Sequence, residues 1–405
     1  MNKKRLIALI VSIVLVVGIV CSGISIAGSD IFCATPQIKN DKPLPMPNDE
    51  LSLAWNLRKF MPEDQNYMYS PLSLEMALAL IANGAEGETL AEIETLLPGG
   101  DLEAYNGYAK RLVEEYAKNQ RITLKLANSV WLNRDHPSQM QFLSDYRDEV
   151  KEYFGAEAGE VTKHDALSQI NGWVSENTNG KIKNILTKQM VENPDFLACL
   201  VNALYFQGEW ETRFKSHASY KGIFTDKNGK TTETTFMTQT LYADYYSDDT
   251  VQMVKLPYRD RDFSMYFVLG ETENPELLIE KMENKRVELK IPKFKTETSL
   301  TLDAMLKQMG MTRAYDKIAA QFGGMTTGNP NYNTYLMTVL QKSYIEINEE
   351  GTEAAAVTAG VMAATSALMP QEEPVKFYAD KPFTYFIRDD KNGQLLFVGE
   401  YVFCK

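Results

Sequence analysis

The sequence predicts an α+β fold in which helices pack on large, mostly antiparallel sheets. Helical spacing of apolar residues dominates the first third of the folded region, whereas short apolar and β-branched runs dominate after Asp195. Helices followed by strands, rather than an alternation of the two, indicate segregated layers and not a parallel α/β sheet. The 405 residues are 44% apolar and show no internal repeat, so one large domain is expected.

The helical part begins with an apolar pattern over 51–61. Ser70 and Pro71 predict the start of the next helix, because serine caps a first turn and proline fits into it. Asn83 and Gly84 end that helix. Beyond it the pattern predicts a strand over 121–133 and helices over about 138–153 and 166–178. The strands predicted after Asp195 are 196–206, 251–257, 263–269, 287–294, 335–348, 375–378, 383–387 and 395–402.

The N-terminus differs from the rest of the chain. Residues 1–27 combine Lys3, Lys4 and Arg5 with an uncharged apolar run, which is typical of a signal peptide and is also long enough for an uncleaved membrane anchor. The small residues Ser25 and Ala27 favour cleavage. We therefore expect a secreted protein, or a membrane-anchored one that faces outside. Residues 28–48, rich in proline and polar residues, are expected to form a spacer before a domain over 49–405.

Charge and cysteine usage exclude several classes of protein. The net charge is −12, and no cluster of basic residues with interleaved aromatics stands out, so nucleic acid is not an expected partner. Three cysteines follow the apolar run, which is not a disulfide framework. Cys199 fits a buried strand position. Cys33 and Cys404 lie near the two ends of the mature chain and are the candidates for a pair, although sequence alone does not say whether they approach each other.

The connection between the strands that end at Ile347 and begin at Val375 is unusually long. Its first half consists almost entirely of small residues, so either face beyond Glu353 fits inside a sheet. Inserting a strand of roughly 14 residues would add about a dozen ladder hydrogen bonds, a gain on the order of 10 kcal/mol before strain and ordering. On composition alone, a flexible alanine-rich surface loop is the alternative.

Six segments in order resemble the serpin family, and the resemblance covers about residues 50–403. The segments are Tyr69–Ser73, Ile170–Val174, Thr178–Ile182, Asn202–Trp210, Glu349–Ala356 and Phe377–Phe383. The resemblance implies the serpin fold with an exposed reactive-centre loop. It also implies inhibition of serine proteases by suicide-substrate trapping, in which the cleaved loop inserts into the central sheet. The scissile bond is implied at Thr365-Ser366, and the longer stretch to Val375 leaves Ala364, Leu368 and Met369 as alternatives.

The resemblance also assigns roles to individual residues. The hinge segment comprises Glu349, Glu350, Gly351, Thr352, Glu353, Ala354, Ala355 and Ala356. Trp210, Lys293 and Glu349 are expected at the end of the central sheet where the loop enters, the last two as an ion pair. Ser70, Ser73 and Asn202 are expected in the polar cluster that controls sheet opening, with helix capping and ordinary core hydrogen bonding as their alternatives. Gln341 occupies the position where relatives commonly carry histidine.

Small side chains at the hinge favour an inhibitor. The alternative is a non-inhibitory serpin-fold binding or surface protein whose loop is only cleaved. An enzyme is disfavoured, because His136, His164 and His217 lie in no catalytic or metal-binding motif; neither a cofactor nor a metal is expected. The chain carries no Lys or Arg between Gly351 and Val375, so elastase-like or subtilisin-like proteases with small or apolar specificity pockets are the expected partners.

Overall fold

The computed structural model of the chain describes residues 53–352 and 372–404. The helices are α1 Leu53–Arg58, α2 Pro71–Ala82, α3 Gly87–Glu94, α4 Leu102–Lys118, α5 Ser144–Phe154, α6 Ala166–Asn177, α7 Lys188–Glu192 and α8 Asp303–Gln308. The first nine strands are β1 Tyr67–Tyr69, β2 Ile122–Asn133, β3 Gln141–Phe142, β4 Glu157–Val161, β5 Ala198–Glu209, β6 Tyr220–Thr225, β7 Thr231–Ser247, β8 Gln252–Pro257 and β9 Phe263–Leu269. The remaining strands are β10 Glu283–Pro292, β11 Phe294–Thr301, β12 Thr326–Thr327, β13 Leu336–Asn348, β14 Gly351–Thr352, β15 Val375–Tyr378, β16 Phe383–Asp389 and β17 Gln394–Tyr401.

Most of the strands form two large sheets. One has the strand order β11-β13-β14-β5-β2-β4, and the other has the order β1-β17-β16-β9-β8-β7-β10-β15 with β6 added on β7. Most neighbouring strands are antiparallel, as the predicted fold class requires, and the α+β prediction is confirmed. The parallel pairs are β13 with β5, β2 with β4 and β10 with β15.

Helix α2 is the central helix of the fold. Ser70 caps it, with the Ser73 amide donating to Ser70 Oγ at 3.2 Å, and Pro71 occupies its first turn. Every residue from Pro71 to Ala82 is buried. A helix that is apolar on all sides must be covered on all sides, and α2 contacts strands of both large sheets as well as α3, α4 and α5.

Several predicted boundaries were wrong. The helix expected from 138 begins at Ser144, because residues 141–142 form β3 instead. The strand expected over 287–294 is two strands, and Lys293 separates β10 from β11 by donating its amide to the Thr235 carbonyl. Helices α3 and α4 and strands β6 and β7 were not predicted.

The predicted signal or anchor over 1–27, the spacer over 28–48 and Cys33 all lie outside the described residues. In the part of the chain that is described, no helix has the length and apolar character needed to cross a membrane. Cys404 is half-buried and forms no disulfide within that part.

Candidate functional site

The site lies at one end of the six-stranded sheet, where the segment after β13 turns back into the sheet. Strand β14, which is Gly351 and Thr352, pairs antiparallel with both β13 and β5. Beyond this short insertion β13 and β5 pair directly with each other in parallel, from Leu336 with Ala198 to Ser343 with Leu204. Gly351 and Thr352 therefore occupy a short gap at one end of β13 and β5, and beyond this gap the two strands are hydrogen-bonded to each other.

Only glycine fits the first position of β14. Gly351 has φ +153°, and a Cβ built on it would lie 2.0 Å from the carbonyl oxygen of Gly208. Gly208 lacks a side chain for a related reason, because its own Cβ would lie 2.9 Å from the Tyr258 ring. Two glycines thus let the entering backbone approach β5 closely enough to pair with it.

Thr352 is fully enclosed, with 1% of its surface exposed. Its Oγ1 lies 2.6 Å from the hydroxyl of Tyr258, and either oxygen can donate. Tyr258 follows β8, and its ring stacks on Trp210 with the centroids 4.9 Å apart and the planes at 10°. Burial raises the pKa of the Tyr258 phenol, so the hydroxyl stays protonated and available to the hydrogen bond.

Trp210 ties the end of β5 to the turn that leads into β14. Its indole Nε1 donates to the Asn348 carbonyl at 3.0 Å, and its backbone amide donates to the Glu350 carbonyl at 2.9 Å. Asn348 Oδ1 in turn accepts from the amides of Glu350 and Gly351. These contacts fix the direction in which the chain enters the sheet.

Glu349 and Lys293 form the ion pair expected from the resemblance, with Lys293 Nζ 2.5 Å from Glu349 Oε1. The Ser219 hydroxyl donates to the same carboxylate oxygen at 2.7 Å. Burial opposes ionisation of this carboxylate, but the hydrogen bonds from Lys293 and Ser219 outweigh it and hold the pKa of Glu349 below its usual range. Glu349 is therefore an anion at neutral pH.

A polar cluster of five side chains, Ser70, Ser73, Asn128, Asn202 and Gln341, lies beneath the sheet where β13 and β5 pair directly with each other. Gln341 Oε1 accepts from the Ser70 amide, and Gln341 Nε2 donates to the Ser70 carbonyl, both at 2.9 Å. Gln341 Nε2 also donates to Asn202 Oδ1 at 2.7 Å, which joins β13 to β5. Asn202 Nδ2 donates to the Ser73 carbonyl and, at 2.8 Å, to Asn128 Oδ1. Gln341 thus uses both ends of its amide to join three elements.

The structure brings together Trp210, Lys293, Glu349, Glu350, Gly351 and Thr352 at the end of the sheet, and Ser70, Ser73, Asn202 and Gln341 in the polar cluster. The predicted hinge residues Glu353, Ala354, Ala355 and Ala356 and the predicted scissile residues Thr365 and Ser366 lie outside the described residues. Sequence reasoning missed Tyr258, Ser219, Asn348 and Asn128. Asn128 alone carried a signal, because it is a polar residue within a continuous strand pattern.

The chain re-emerges from the undescribed segment at a different sheet. Arg286 donates to the Glu372 carbonyl at 2.8 Å, and β15 pairs in parallel with β10. The two ends of the loop are therefore anchored on different sheets. Within the described ranges, no group of three or more His, Cys, Asp and Glu side chains is arranged to hold a metal ion.

Comparison with known proteins agrees with this geometry. A family model described as "Serpin (serine protease inhibitor)" matches residues 49–403. The leukocyte elastase inhibitor of Xenopus tropicalis is 34% identical over 361 residues, covering 83% of this chain and 92% of that protein. The native state of tengpin, a thermophilic serpin, aligns with a TM-score of 0.79 at 26% identity, covering 90% of this chain and 98% of tengpin. Human thyroxine-binding globulin in complex with its hormone aligns with a TM-score of 0.77 at 22% identity, covering 87% and 96%, which is a likeness of fold.

Proposed function

The chain belongs to the serpin family, and we propose that it inhibits serine proteases by trapping them as a suicide substrate. The protease cleaves the loop near Thr365-Ser366, and the segment that begins at Thr352 then inserts between β13 and β5 as a new strand. The observation that carries the proposal is β14, since Gly351 and Thr352 already pair with both strands that would flank the insert.

The register of β14 makes the proposal specific. Thr352 lies opposite Gly208 on β5 and Ile347 on β13. A strand that continued in this register would reach, six residues later, the level of Asn202 and Gln341. Thr358 would then meet the hydrogen bond that joins β13 to β5 in the polar cluster. Its hydroxyl is able to donate and accept, so it would replace the bond that its entry breaks.

The energetics favour the inserted form. Insertion replaces one parallel pairing of β13 with β5 by two antiparallel pairings, and antiparallel ladders are slightly more stable per residue. Each ladder hydrogen bond contributes about 0.5–1.5 kcal/mol net, so a net gain of roughly ten bonds is worth on the order of 10 kcal/mol. That gain is available only after cleavage, because the far end of the uncut loop is held on β15.

We infer the class of target from the loop. A protease with an anionic specificity pocket finds no Lys or Arg between Gly351 and Val375. The small residues around Thr365 fit proteases with small or apolar pockets, of the elastase or subtilisin kind. The similarity to a protein named leukocyte elastase inhibitor supports this direction. The N-terminal pattern of residues 1–27 further supports a protein that meets its targets outside the cell, either secreted or attached to a membrane.

The test is incubation of the protein with elastase, subtilisin and trypsin, followed by denaturing electrophoresis. We expect a covalent complex stable in SDS with elastase or subtilisin and none with trypsin. Mass spectrometry of the released C-terminal peptide should begin at Ser366. Cleavage without complex would contradict trapping and favour a non-inhibitory binding protein, and equal inhibition of trypsin would contradict the target class.

A further inference from the structure

The hydroxyl pair of Thr352 and Tyr258 joins the two large sheets of the protein. Thr352 belongs to the six-stranded sheet through β14, whereas Tyr258 lies in the turn between β8 and β9 of the other sheet. Both residues are almost completely buried, Thr352 at 1% and Tyr258 at 0% exposure. The pair therefore lies where the entering chain meets the second sheet, out of contact with water.

Tyr258 is held rigidly in this place. Its ring is stacked on Trp210 and packs against Phe206 with a centroid separation of 4.9 Å. Its backbone forms a bridge with Trp210, and its amide donates to the Phe263 carbonyl at 2.9 Å. These contacts hold the ring in place, and the position of the ring determines where the Tyr258 hydroxyl meets Thr352. The missing side chain of Gly208 provides the space that the ring occupies.

Because the Thr352 hydroxyl is buried, it depends on Tyr258 for its hydrogen bond. If the Tyr258 hydroxyl were removed, Thr352 Oγ1 would lose a 2.6 Å hydrogen bond in a site closed to water. An unpaired buried hydroxyl shifts an equilibrium by roughly five- to a hundredfold against the buried state. The hydrogen bond thus favours the form in which Gly351 and Thr352 occupy the gap over the form in which they leave it.

We propose that Tyr258 is a positioning residue for the reactive loop: its hydroxyl keeps Thr352 between β13 and β5 before cleavage and so sets the register in which the rest of the loop enters. This inference rests on the proposed function, since a register matters only if the loop inserts. Loss of the pair releases the hinge, so that insertion starts from an unaligned chain and a larger share of the cleaved inhibitor fails to trap its protease.

Four variants test the proposal. Tyr258→Phe and Thr352→Val each remove one hydroxyl with little change in shape, whereas Thr352→Ser keeps the hydroxyl and serves as the conservative rescue. Tyr146→Phe is the matched control, because the buried Tyr146 hydroxyl donates to the Leu80 carbonyl at 3.0 Å, in α2 and away from the hinge.

Amide hydrogen exchange over residues 348–352 measures release of the hinge without any protease. We expect exchange in Tyr258→Phe and Thr352→Val to be roughly five- to a hundredfold faster than in the wild type, and exchange in Thr352→Ser and Tyr146→Phe to be unchanged. In the double variant Tyr258→Phe/Thr352→Val, the increase in exchange rate should be smaller than the product of the two single increases, because neither hydroxyl is left without its partner. The number of inhibitor molecules consumed per trapped protease should rise in the same two single variants.

Wild-type exchange at the hinge in Tyr258→Phe, with a loss of thermal stability like that of Tyr146→Phe, would overturn the proposal and make Tyr258 an ordinary core residue. If Tyr258→Phe does not fold, the contrast between Thr352→Val and Thr352→Ser decides by itself. If no variant and no wild-type protein traps a protease, the proposed function fails, while the exchange measurement still decides whether the pair holds the hinge.

Discussion

Thr352→Arg is the substitution that separates strand insertion from simple cleavage most sharply. Thr352 is enclosed between β13, β5 and the Tyr258 ring, and its side chain is oriented towards Tyr258. An arginine at this position can have one of two effects. Either it buries an unpaired guanidinium in the place of the hydroxyl, or it keeps the charge in water and prevents the hinge from entering the sheet.

The free-energy cost of this substitution follows from the burial of position 352. Burying an unpaired charge costs on the order of 4 kcal/mol after relaxation, and losing the hydroxyl pair costs about 1 kcal/mol more. About 5 kcal/mol on the first step of insertion corresponds to a factor of roughly a thousand or more in its rate. In the proposed mechanism insertion competes with hydrolysis of the acyl-enzyme, so this factor would turn nearly every encounter with a protease into product release.

The assay is the yield of SDS-stable complex with elastase, together with the molar ratio of inhibitor consumed to protease trapped. Thr352→Ser is the control for a substitution at this position that adds neither charge nor bulk. Glu373→Arg controls for the added charge, because it places an arginine at an exposed position near the other end of the same loop. We expect cleaved product without complex for Thr352→Arg and wild-type complex for both controls. A wild-type yield of complex from Thr352→Arg would refute insertion of a strand that begins at this residue.

Two further predictions concern the contacts around the gap. Gln341→Ala leaves the Ser70 amide and Asn202 Oδ1 without their buried partner, so the free energy of unfolding in urea should fall by about 2–4 kcal/mol, whereas Gln341→His should retain most of it. Lys293→Met removes the charged partner of Glu349 but leaves the Ser219 hydroxyl, and because Lys293 is partly exposed the loss of stability at pH 7 should stay below about 1 kcal/mol. The lowered pKa of Glu349 means that this contribution is present above the ordinary carboxylate pKa of about 4.3 and disappears as the pH falls through the folded-state pKa, so wild type and variant should become equally stable in acid. A difference that persisted in acid would show that the ion pair is not its source.

Element types were predictable from the sequence where one periodicity ran through a whole element. Helix α6 ends within one residue of the prediction, because its apolar spacing is regular and it packs one face only. Helix α4 was not predicted, although its sequence carries an equally regular buried face that includes Tyr105, Tyr108, Leu112 and Tyr116 and a capping residue, Asp101. Strand β7 is different. It pairs with β6, β10 and β8 in turn, so its buried face is not continuous along the chain.

Only those residues of the candidate site that lie in recognisable sequence motifs were predictable. Trp210, Lys293 and Glu349 meet as expected, and Ser70 and Gln341 meet although 271 residues separate them. Tyr258 was not predictable, because its contact with Thr352 depends on how the turn after β8 meets another sheet. Packing between sheets is non-local, and a single sequence contains no local pattern that encodes it.

The polar cluster adds little to the cost of separating β13 from β5 in the proposed insertion. Within this cluster, the Gln341 to Asn202 hydrogen bond joins β13 to β5 and must break when the two strands separate. Gln341 keeps both of its bonds to the backbone of Ser70, and Asn202 Nδ2 keeps the Ser73 carbonyl and Asn128. Within the cluster, separation therefore orphans one side-chain atom, Asn202 Oδ1, which adds about 1 kcal/mol to the cost of breaking the backbone ladder between the two strands. That atom is an acceptor, so a hydroxyl that arrives at this level of the sheet, as the register of β14 assigns to Thr358 in the proposed inserted form, donates to it and recovers the cost.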